Sequence, residues 1–404
     1  MTRDTGRDGL RPRIAVCLVF AALGLTNSAW SSRIPDIRAN VGVDNAAWGT
    51  LGTASAVGDL VAILATMILV GRVRTRSFTR IGAALMLISG PLLAGAAAVV
   101  QLVAGLVTWG FGATLLAPAI NAQGVDVEEA CGRRVVPLFH ACFSVGVLVG
   151  GVYGAVSAGA GISPGVQLAA STALFGFLLL VTATWLPNPA PQAEDAGVPL
   201  RQRLGRRWAP QLRLLALLAF VGSFIEGTVG QWSAIYATDA TGVGAAVAAG
   251  IYTGFTVAVL AARLASDTVL KHLTMRTFLQ CSLLLVAVGV ATAVVFPVSA
   301  TVVVGFALAG LGVGCVVPSV IRLAARQPGL AADEGTSMVT LGQWPGFLLA
   351  SPVIGLLAGA TSLRVALVLL ILCGVVGALL ARNLRYPAPH GDRAAEEPHE
   401  KAAK

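Results

Sequence analysis

The stretch GFGATLLAP, from Gly110 to Pro118, recurs as GLGVGCVVP from Gly310 to Pro318. Two glycines and the closing proline fall at matching positions, two hundred residues apart, and Gly146 and Gly346 have the same spacing. Glycine is the residue that allows two helix backbones to approach closely. A constant spacing at several places predicts that the chain contains two copies of one structural unit.

The composition places the chain among membrane proteins. Of its 404 residues, 56% are hydrophobic and only 12% are charged, whereas soluble domains carry about 25% charged residues. The 47 glycines agree with this class, because glycine is more frequent in membrane helices than in soluble ones. The six cysteines show no CxxC pair and no metal-ligand spacing, so the sequence predicts neither a metal nor another cofactor.

Twelve apolar runs are long enough to cross a bilayer, since a helix needs about 20 mainly apolar residues to do so. The first run is interpreted as a span and not as a cleaved signal peptide, because eleven spans would break the repeat. The sequence therefore predicts an all-α membrane protein. Its predicted spans are residues 13–32, 46–70, 78–97, 100–122, 136–159, 165–186, 211–236, 244–265, 276–296, 300–322, 335–358 and 362–384.

Basic residues mark one side of the predicted bundle. With the N-terminus inside the cell, all of the 28 lysines and arginines except Arg33, Arg38 and Arg364 fall in inner segments. This bias predicts a multi-pass protein of the inner membrane, in contact with the lipid bilayer and with both termini in the cytoplasm. The net charge of +9 is spread from loop to loop, which argues against a nucleic-acid partner, because such a partner favours charge gathered on one face.

Two polar segments divide the chain. Residues 187–210 are rich in proline and charge, and they are predicted to link two six-helix bundles, 1–186 and 211–385. Residues 386–404 lack apolar periodicity and are predicted to be a disordered cytoplasmic tail. Parallel repeats around a central cavity are a common construction of secondary transporters.

These features together resemble the major facilitator superfamily. That family carries a glycine- and arginine-rich inner loop with an aspartate, and ARLASDTVLKHLTMR after span eight has Arg263 and Asp267 at the matching positions. The corresponding loop after span two, GRVRTRSFTR, lacks the aspartate. Two further stretches, Asn121 to Gly151 and Glu226 to Tyr236, are similar to the fucose-permease-like, sugar-transporting branch. The resemblance implies the twelve-helix fold of the family, in two pseudo-repeats of six helices, and a monomer that encloses its own cavity.

Glu226 is the first candidate for a functional residue. It lies in the middle of span seven, with Gly222 and Gly230 four residues to either side and with Ser223 and Gly227 on the same stripe. A charge at mid-membrane costs about 2.5–3.5 kcal/mol on insertion scales, so such residues usually face the bundle interior or a watery cavity. Glu226 is predicted to couple protons or to bind substrate. The alternative is a carboxyl group that only makes hydrogen bonds between helices.

Asp59 and His140 are further candidates for proton coupling. Asp59 lies in span two on a face of small residues, so it either carries a proton or pairs with a polar group on a closely packed helix. His140 lies one turn into span five, where an imidazole either relays protons or only packs between helices.

Amide and indole side chains occur together in three spans. Amides hydrogen-bond hydroxyl groups and indoles stack on apolar ring faces, so this pairing suits polar ligands that bear a ring. Trp30 and Trp232 are alternatively residues of the aromatic belt at the membrane surface, whereas Gln343 and Trp344 are too central for that role. Besides Glu226, the predicted substrate-binding residues are Asn27 and Trp30 in span one, Gln231 and Trp232 in span seven, and Gln343 and Trp344 in span eleven.

Arg263 and Asp267 are predicted to act at a gate, where their charges hold one conformation of a switching protein. The alternative is a surface ion pair that contributes little energy.

The sequence predicts a secondary active transporter that moves a small polar, sugar-like solute by alternating access. It contains no GxxxxGK[ST] loop for a nucleotide, so protons are the expected energy source. The runner-up is a drug or metabolite antiporter, because GVLVGGVYG in span five keeps the glycines of the antiporter pattern, with Gly151 where a proline is expected. An enzyme is not expected, since no HExxH or GxSxG motif occurs in a suitable context. A receptor or scaffold without transport is left open.

Overall fold

Helices build the described part of the chain. The computed structural model describes residues 10–69, 73–132, 135–187, 210–327 and 332–384. Within these ranges, twelve helical segments are long and apolar enough to cross a membrane, which confirms the predicted spans in number. Almost all of the predicted linker and the whole of the predicted tail lie outside the described residues.

The first six spans include one helix that the sequence did not predict. The short helix Ile34–Val41 connects spans one and two, and its eight residues are too few to register as an apolar run. Span two is divided at Gly52 into two helices. The helices of this half are Leu10–Ser31 (span one), Ile34–Val41, Asn45–Leu51 with Thr53–Leu69 (two), Thr75–Ala94 (three), Val99–Cys131 (four), Val136–Gly159 (five) and Pro164–Thr182 (six).

The last six spans also follow one another as six membrane helices, but residues 242–244 join spans seven and eight without a short helix between them. Span ten is divided at Gly314 and Cys315, between two helices. We call the end of the bundle at which span one begins the terminal end, and the other end the opposite end. The helices of this half are Pro210–Thr241 (span seven), Ala245–Val269 (eight), Met275–Val295 (nine), Ser299–Val313 with Val316–Ala324 (ten), Ala332–Ala360 (eleven) and Leu363–Ala381 (twelve).

The repeated glycine motif is a helix contact in both halves. A Cβ atom on Gly110 of span four would collide with the backbone carbonyl of Ser55 in span two. A Cβ atom on Gly310 of span ten would lie 2.6 Å from the carbonyl oxygen of Phe255 in span eight. In each half, the motif therefore allows two backbones to touch. The contacted residues, Ser55 and Phe255, are two hundred residues apart, as are Gly110 and Gly310.

Arginines repeat in the same way at the terminal end. Arg76, at the start of span three, donates a hydrogen bond to the carbonyl of Leu186, just beyond span six. Arg276, at the start of span nine, donates to the carbonyl of Leu384, just beyond span twelve, at 2.7 Å. Carbonyls near helix ends lack intrahelical donors, so each arginine closes its half in the same manner. The two halves are two copies of one six-helix unit.

The two halves meet closely at the opposite end. A Cβ atom on Gly49 of span two would lie 2.5 Å from the Cα atom of Gly355 in span eleven. Arg38 and Asp239 form an ion pair across the same interface, with 3.3 Å between Nη1 and Oδ2. Where span eleven meets span two, it packs mainly against the opposite-end helix of that span, Asn45–Leu51. The interface is therefore closed at the opposite end.

Candidate functional site

A cavity of about 400 Å³ lies between the two halves. This volume is within the range of small-molecule sites, about 300–1,000 Å³. Both halves contribute polar groups and aromatic rings to its wall, so any molecule bound there contacts both copies of the repeat. The polar and aromatic residues of the wall are Asn27, Trp30, Ser31, Trp48, Ser55, Trp109, Phe143 and Ser144 from the first half, and Glu226, Gln231, Tyr252, Phe255, Thr256, Arg263 and Phe347 from the second.

Glu226 and Arg263 form an ion pair in the wall of this cavity. Nη2 of Arg263 donates to Oε1 of Glu226 at 3.1 Å, and Nε of the same guanidinium donates to the carbonyl oxygen of Gly314 at 3.0 Å. Gly314 lies at the division of span ten, where the helix is interrupted and a carbonyl accepts a side-chain donor. Arg263 is thus held by the backbone through Nε and by Glu226 through Nη2.

The Glu226–Arg263 pair is partly open to the cavity. The side chain of Glu226 is 25% exposed and that of Arg263 is 41% exposed. A proton can therefore reach the carboxylate from the cavity, and another anion or acceptor can approach the guanidinium.

Three of the predicted amide and indole side chains come together at the cavity. Asn27 and Trp30 of span one and Gln231 of span seven line its wall. The next residue, Trp232, does not line the wall and is completely buried in the core. Adjacent residues on a helix point in directions about 100° apart, which follows from 3.6 residues per turn, so Gln231 and Trp232 cannot face the same surface.

Gln343 and Trp344 lie outside the lining of the cavity. Glycines on span eleven fix its rotation, because Gly342 packs on the backbone of Ala216 and Gly346 packs on the backbone of Phe220. With those two glycines turned toward span seven, the indole of Trp344 is 37% exposed on another face. Phe347 is the residue of span eleven that lines the cavity.

Asp59 and His140 also lie outside the lining of the cavity. Oδ1 of Asp59 accepts a hydrogen bond from Oγ1 of Thr114 at 2.6 Å, between spans two and four. The ring of His140 packs edge-on against Phe20, with 5.3 Å between ring centroids. Both contacts join neighbouring helices, which is the alternative role that the sequence left open for each residue. A proton-coupling role for either residue stays a prediction.

Arg263 and Asp267 have separate partners. Oδ1 of Asp267 accepts from Nη2 of Arg322 at 3.1 Å, whereas Arg263 pairs with Glu226. Arg322 lies in the second helix of span ten, so both ion pairs join spans within the second half. In this conformation, the two predicted gate residues belong to two distinct ion pairs.

Three further residues, Trp48, Trp109 and Tyr252, line the cavity and were not predicted from the sequence. Tyr252 of span eight faces the cavity together with Ser31 of span one, so it contributes to the wall from the second half where span one contributes from the first. Trp109 directly precedes Gly110 of the repeated motif. This position next to a repeated glycine could have indicated, from the sequence, that the ring of Trp109 faces the inside of the bundle.

Sequence comparisons point to one family. The family described as Major Facilitator Superfamily matches residues 14–329. An uncharacterized MFS-type transporter of Yersinia pestis is 28% identical over 360 residues, which cover 89% of this chain and 92% of that protein. The membrane protein MosC of Rhizobium meliloti is 26% identical over 362 residues, which cover 90% of this chain and 87% of that protein.

Solved structures with a similar fold are transporters. The nucleoside transporter NupG superposes with a TM-score of 0.78 at 13% identity, over 94% of this chain and 100% of that chain. The Escherichia coli fucose:proton symporter FucP superposes with a TM-score of 0.62 at 17% identity, with the same coverage. At these identities the likeness concerns the fold alone, and it confirms the predicted twelve-helix architecture.

Proposed function

Because this chain belongs to the Major Facilitator Superfamily of membrane transporters, we propose that it moves a small polar solute across the inner membrane by alternating access, coupled to protons. Alternating access in such folds is largely a rocking of one repeat against the other around a fixed site between them. The cavity between the two halves is the candidate for that site.

The observation that carries this proposal is the ion pair of Glu226 and Arg263 in the wall of that cavity. Ionisable groups within membrane spans are rare and mark substrate or proton pathways. The amides of Asn27 and Gln231 add hydrogen-bonding groups, and the indole of Trp30 adds a flat apolar face. Together these groups suit a hydroxylated, ring-bearing solute of the sugar type.

In the proposed mechanism, protonation of Glu226 couples proton binding to solute binding. A neutral carboxyl group no longer attracts Arg263, so Nη2 is free to donate to an oxygen atom of the solute. The carbonyl of Gly314 keeps the guanidinium in place through Nε. Proton binding then raises the affinity for the solute, and by thermodynamic reciprocity the solute raises the affinity for the proton.

The described conformation faces the cytoplasm in this proposal. The positive-inside rule assigns the terminal end to the cytoplasm, and the two halves are in contact at the opposite end. Opening toward the outside then requires the Arg38–Asp239 pair and the contact of Gly49 with Gly355 to separate.

A proton-driven exporter of amphiphilic drugs or metabolites is the second candidate. The observation that favours it is the share of large apolar rings in the cavity wall, among them Trp48, Phe143, Phe255 and Phe347. Rings of this kind bind the apolar body of a ligand and require few directed hydrogen bonds.

A ligand screen on the purified full chain tests both candidates. A ligand that binds only the folded state raises the melting temperature by mass action. The panel contains sugars and nucleosides, the solutes named for the transporters of similar fold, and a set of cationic drugs. Stabilisation by the drugs alone would exclude the sugar-type proposal in favour of export.

Stabilising compounds are then followed in proteoliposomes with an imposed proton gradient. Solute movement that tracks the gradient, together with proton movement, is the expected result. If a stabilising solute crosses the membrane at the same rate with and without the gradient, proton coupling is contradicted. If it does not cross at all, the transport proposal is contradicted for that solute.

A further inference from the structure

A second polar cavity lies far from the central one, at the terminal end between spans nine and twelve. Its volume is about 610 Å³, and it is lined by Arg276, Gln280, Leu379, Arg382 and Asn383. Four of these five side chains are polar, and two of them carry a positive charge. The proposed transport cycle makes no use of this cavity.

The two arginines of this cavity have no acidic partner within the described ranges of the chain. The four ion pairs found there involve other residues. Arg276 is fixed in position because its Nη2 atom donates to the carbonyl of Leu384 at 2.7 Å. Two guanidinium groups that share a cavity without a carboxylate repel each other, so an anion that binds between them relieves that repulsion.

The position of the cavity matches the level of lipid headgroups. Arg276 is the second residue of span nine, and Arg382 directly follows the last residue of span twelve. The N-terminus of span nine adds the positive end of a helix dipole, which favours an anion. Basic pockets between membrane helices at this level are known to bind anionic headgroups.

An apolar surface continues from the cavity toward the middle of the membrane. Leu379 is 52% exposed within the cavity, and Val376 and Leu372 extend the same exposed surface along span twelve. A soluble phosphate makes no use of this surface, whereas the acyl chain of a lipid covers it. A positively charged cavity at the terminal end and an apolar surface that runs from it toward the membrane centre match the anionic headgroup and the acyl chain of a phospholipid.

We propose that this cavity is a binding site for an anionic phospholipid, with its phosphate between Arg276 and Arg382 and an acyl chain along span twelve. Gln280 and Asn383 supply further hydrogen-bond donors to the headgroup. The bound lipid contacts the first turn of span nine and the last turn of span twelve.

Native mass spectrometry of the full chain in detergent tests this site, with phosphatidylglycerol as the probe and phosphatidylcholine as the neutral comparison. We expect phosphatidylglycerol to be retained in preference to phosphatidylcholine. Arg382→Gln is the first variant, because the side chain of Arg382 makes no hydrogen bond to the residues that the structure describes. It should weaken phosphatidylglycerol binding roughly fivefold, which corresponds to about 1 kcal/mol for one basic residue near a membrane surface. Arg276→Gln with Arg382→Gln should abolish the preference.

Lys271→Gln is the matched control, because it removes one positive charge from the same end of the bundle without touching the cavity. It should leave phosphatidylglycerol binding at the level of the unmodified protein. An equal loss in Lys271→Gln and Arg382→Gln would overturn the proposal, since it would indicate attraction by the overall charge of that end.

Glycerol phosphate distinguishes a lipid from a free phosphate. We expect it to compete weakly with phosphatidylglycerol, because it lacks the acyl chain that covers Leu379. Competition at equal concentration would overturn the assignment to a lipid. If the glutamine variant of Arg276 fails to fold, Arg276→Lys replaces it, because lysine keeps the positive charge. A folded protein with both Arg276→Lys and Arg382→Lys should keep the preference for phosphatidylglycerol, and loss of that preference would also contradict the site.

Discussion

At the residue scale, the carboxylates Glu226 and Asp59 differ in their partners. Glu226 pairs with a guanidinium in the wall of a cavity, and Asp59 accepts a hydrogen bond from a threonine hydroxyl between two packed helices. Protonation of Glu226 leaves the positive charge of Arg263 without its partner in the wall of the cavity, which is the proposed solute site. Protonation of Asp59 has no such effect on the cavity, so the two residues are separable by mutation.

Glu226→Gln should abolish proton-driven accumulation of the solute and retain exchange of solute across the membrane. The amide cannot take up the coupling proton, but it fills the same space and leaves the cavity intact. Accumulation and counterflow in proteoliposomes measure the two activities. Asp59→Asn is the control and should keep accumulation. Wild-type accumulation in Glu226→Gln would show that another group couples the proton.

Trp109→Ala should weaken solute binding up to about tenfold, because an aromatic contact contributes roughly 0.5–1.5 kcal/mol beyond its buried area. Trp344→Ala removes the same side chain from a position outside the cavity lining and should leave affinity unchanged. Isothermal titration on the two variants gives the comparison. A larger loss in Trp344→Ala would mean that span eleven rotates to present this indole to the solute.

At the scale of elements, glycines set the distances between spans. Span four touches span two at Gly110, and span ten touches span eight at Gly310, with backbone against backbone. Without strong hydrophobic attraction between helices in lipid, close packing and backbone contacts hold spans together. The same contacts fix the rotation of each span and decide which side chains line the cavity.

Gly110→Ala should lower the stability of the protein by about 1–3 kcal/mol, the usual cost of overpacking a tight contact. Its Cβ atom has no space beside the carbonyl of Ser55. Gly250→Ala is the matched control, because no atom lies within 4 Å of its added Cβ. Thermal unfolding in detergent measures both, and an equal melting temperature for the two variants would contradict the contact.

At the scale of the whole molecule, the two halves are in contact at the opposite end of the bundle in this conformation. The Arg38–Asp239 pair is partly exposed, with 19% of the Arg38 side chain and 40% of the Asp239 side chain accessible. An ion pair of this kind contributes about 0–1 kcal/mol. In the proposed transport cycle, a pair of this strength would bias the protein toward the closed opposite end without preventing it from opening.

Arg38→Gln and Asp239→Asn should each increase hydrogen exchange in the helix Ile34–Val41, because either change loosens the closed opposite end. The double variant should show little more than each single variant, since both remove the same interaction. Additive effects of the two substitutions would contradict a direct coupling between the two residues.

The sequence by itself determined the twelve spans, the two-fold repeat and the family. These properties depend on local quantities: the length of apolar runs, the spacing of glycines and the resemblance of short motifs. It also predicted Asn27, Trp30, Glu226 and Gln231 as site residues, and these four line the cavity. The clearest signal was that of Glu226, which lies on a stripe of glycines and a serine that the helical period places on one face.

Only the tertiary structure decided which faces meet the cavity and which groups pair. Gln343 and Trp344 lie at the right depth, but the glycine contacts of span eleven with span seven turn Trp344 outward and bring Phe347 to the cavity. Arg263 pairs with Glu226 and not with Asp267. Depth in the membrane follows from position along the chain, whereas rotation and pairing follow from the surfaces of neighbouring helices, which are distant in sequence.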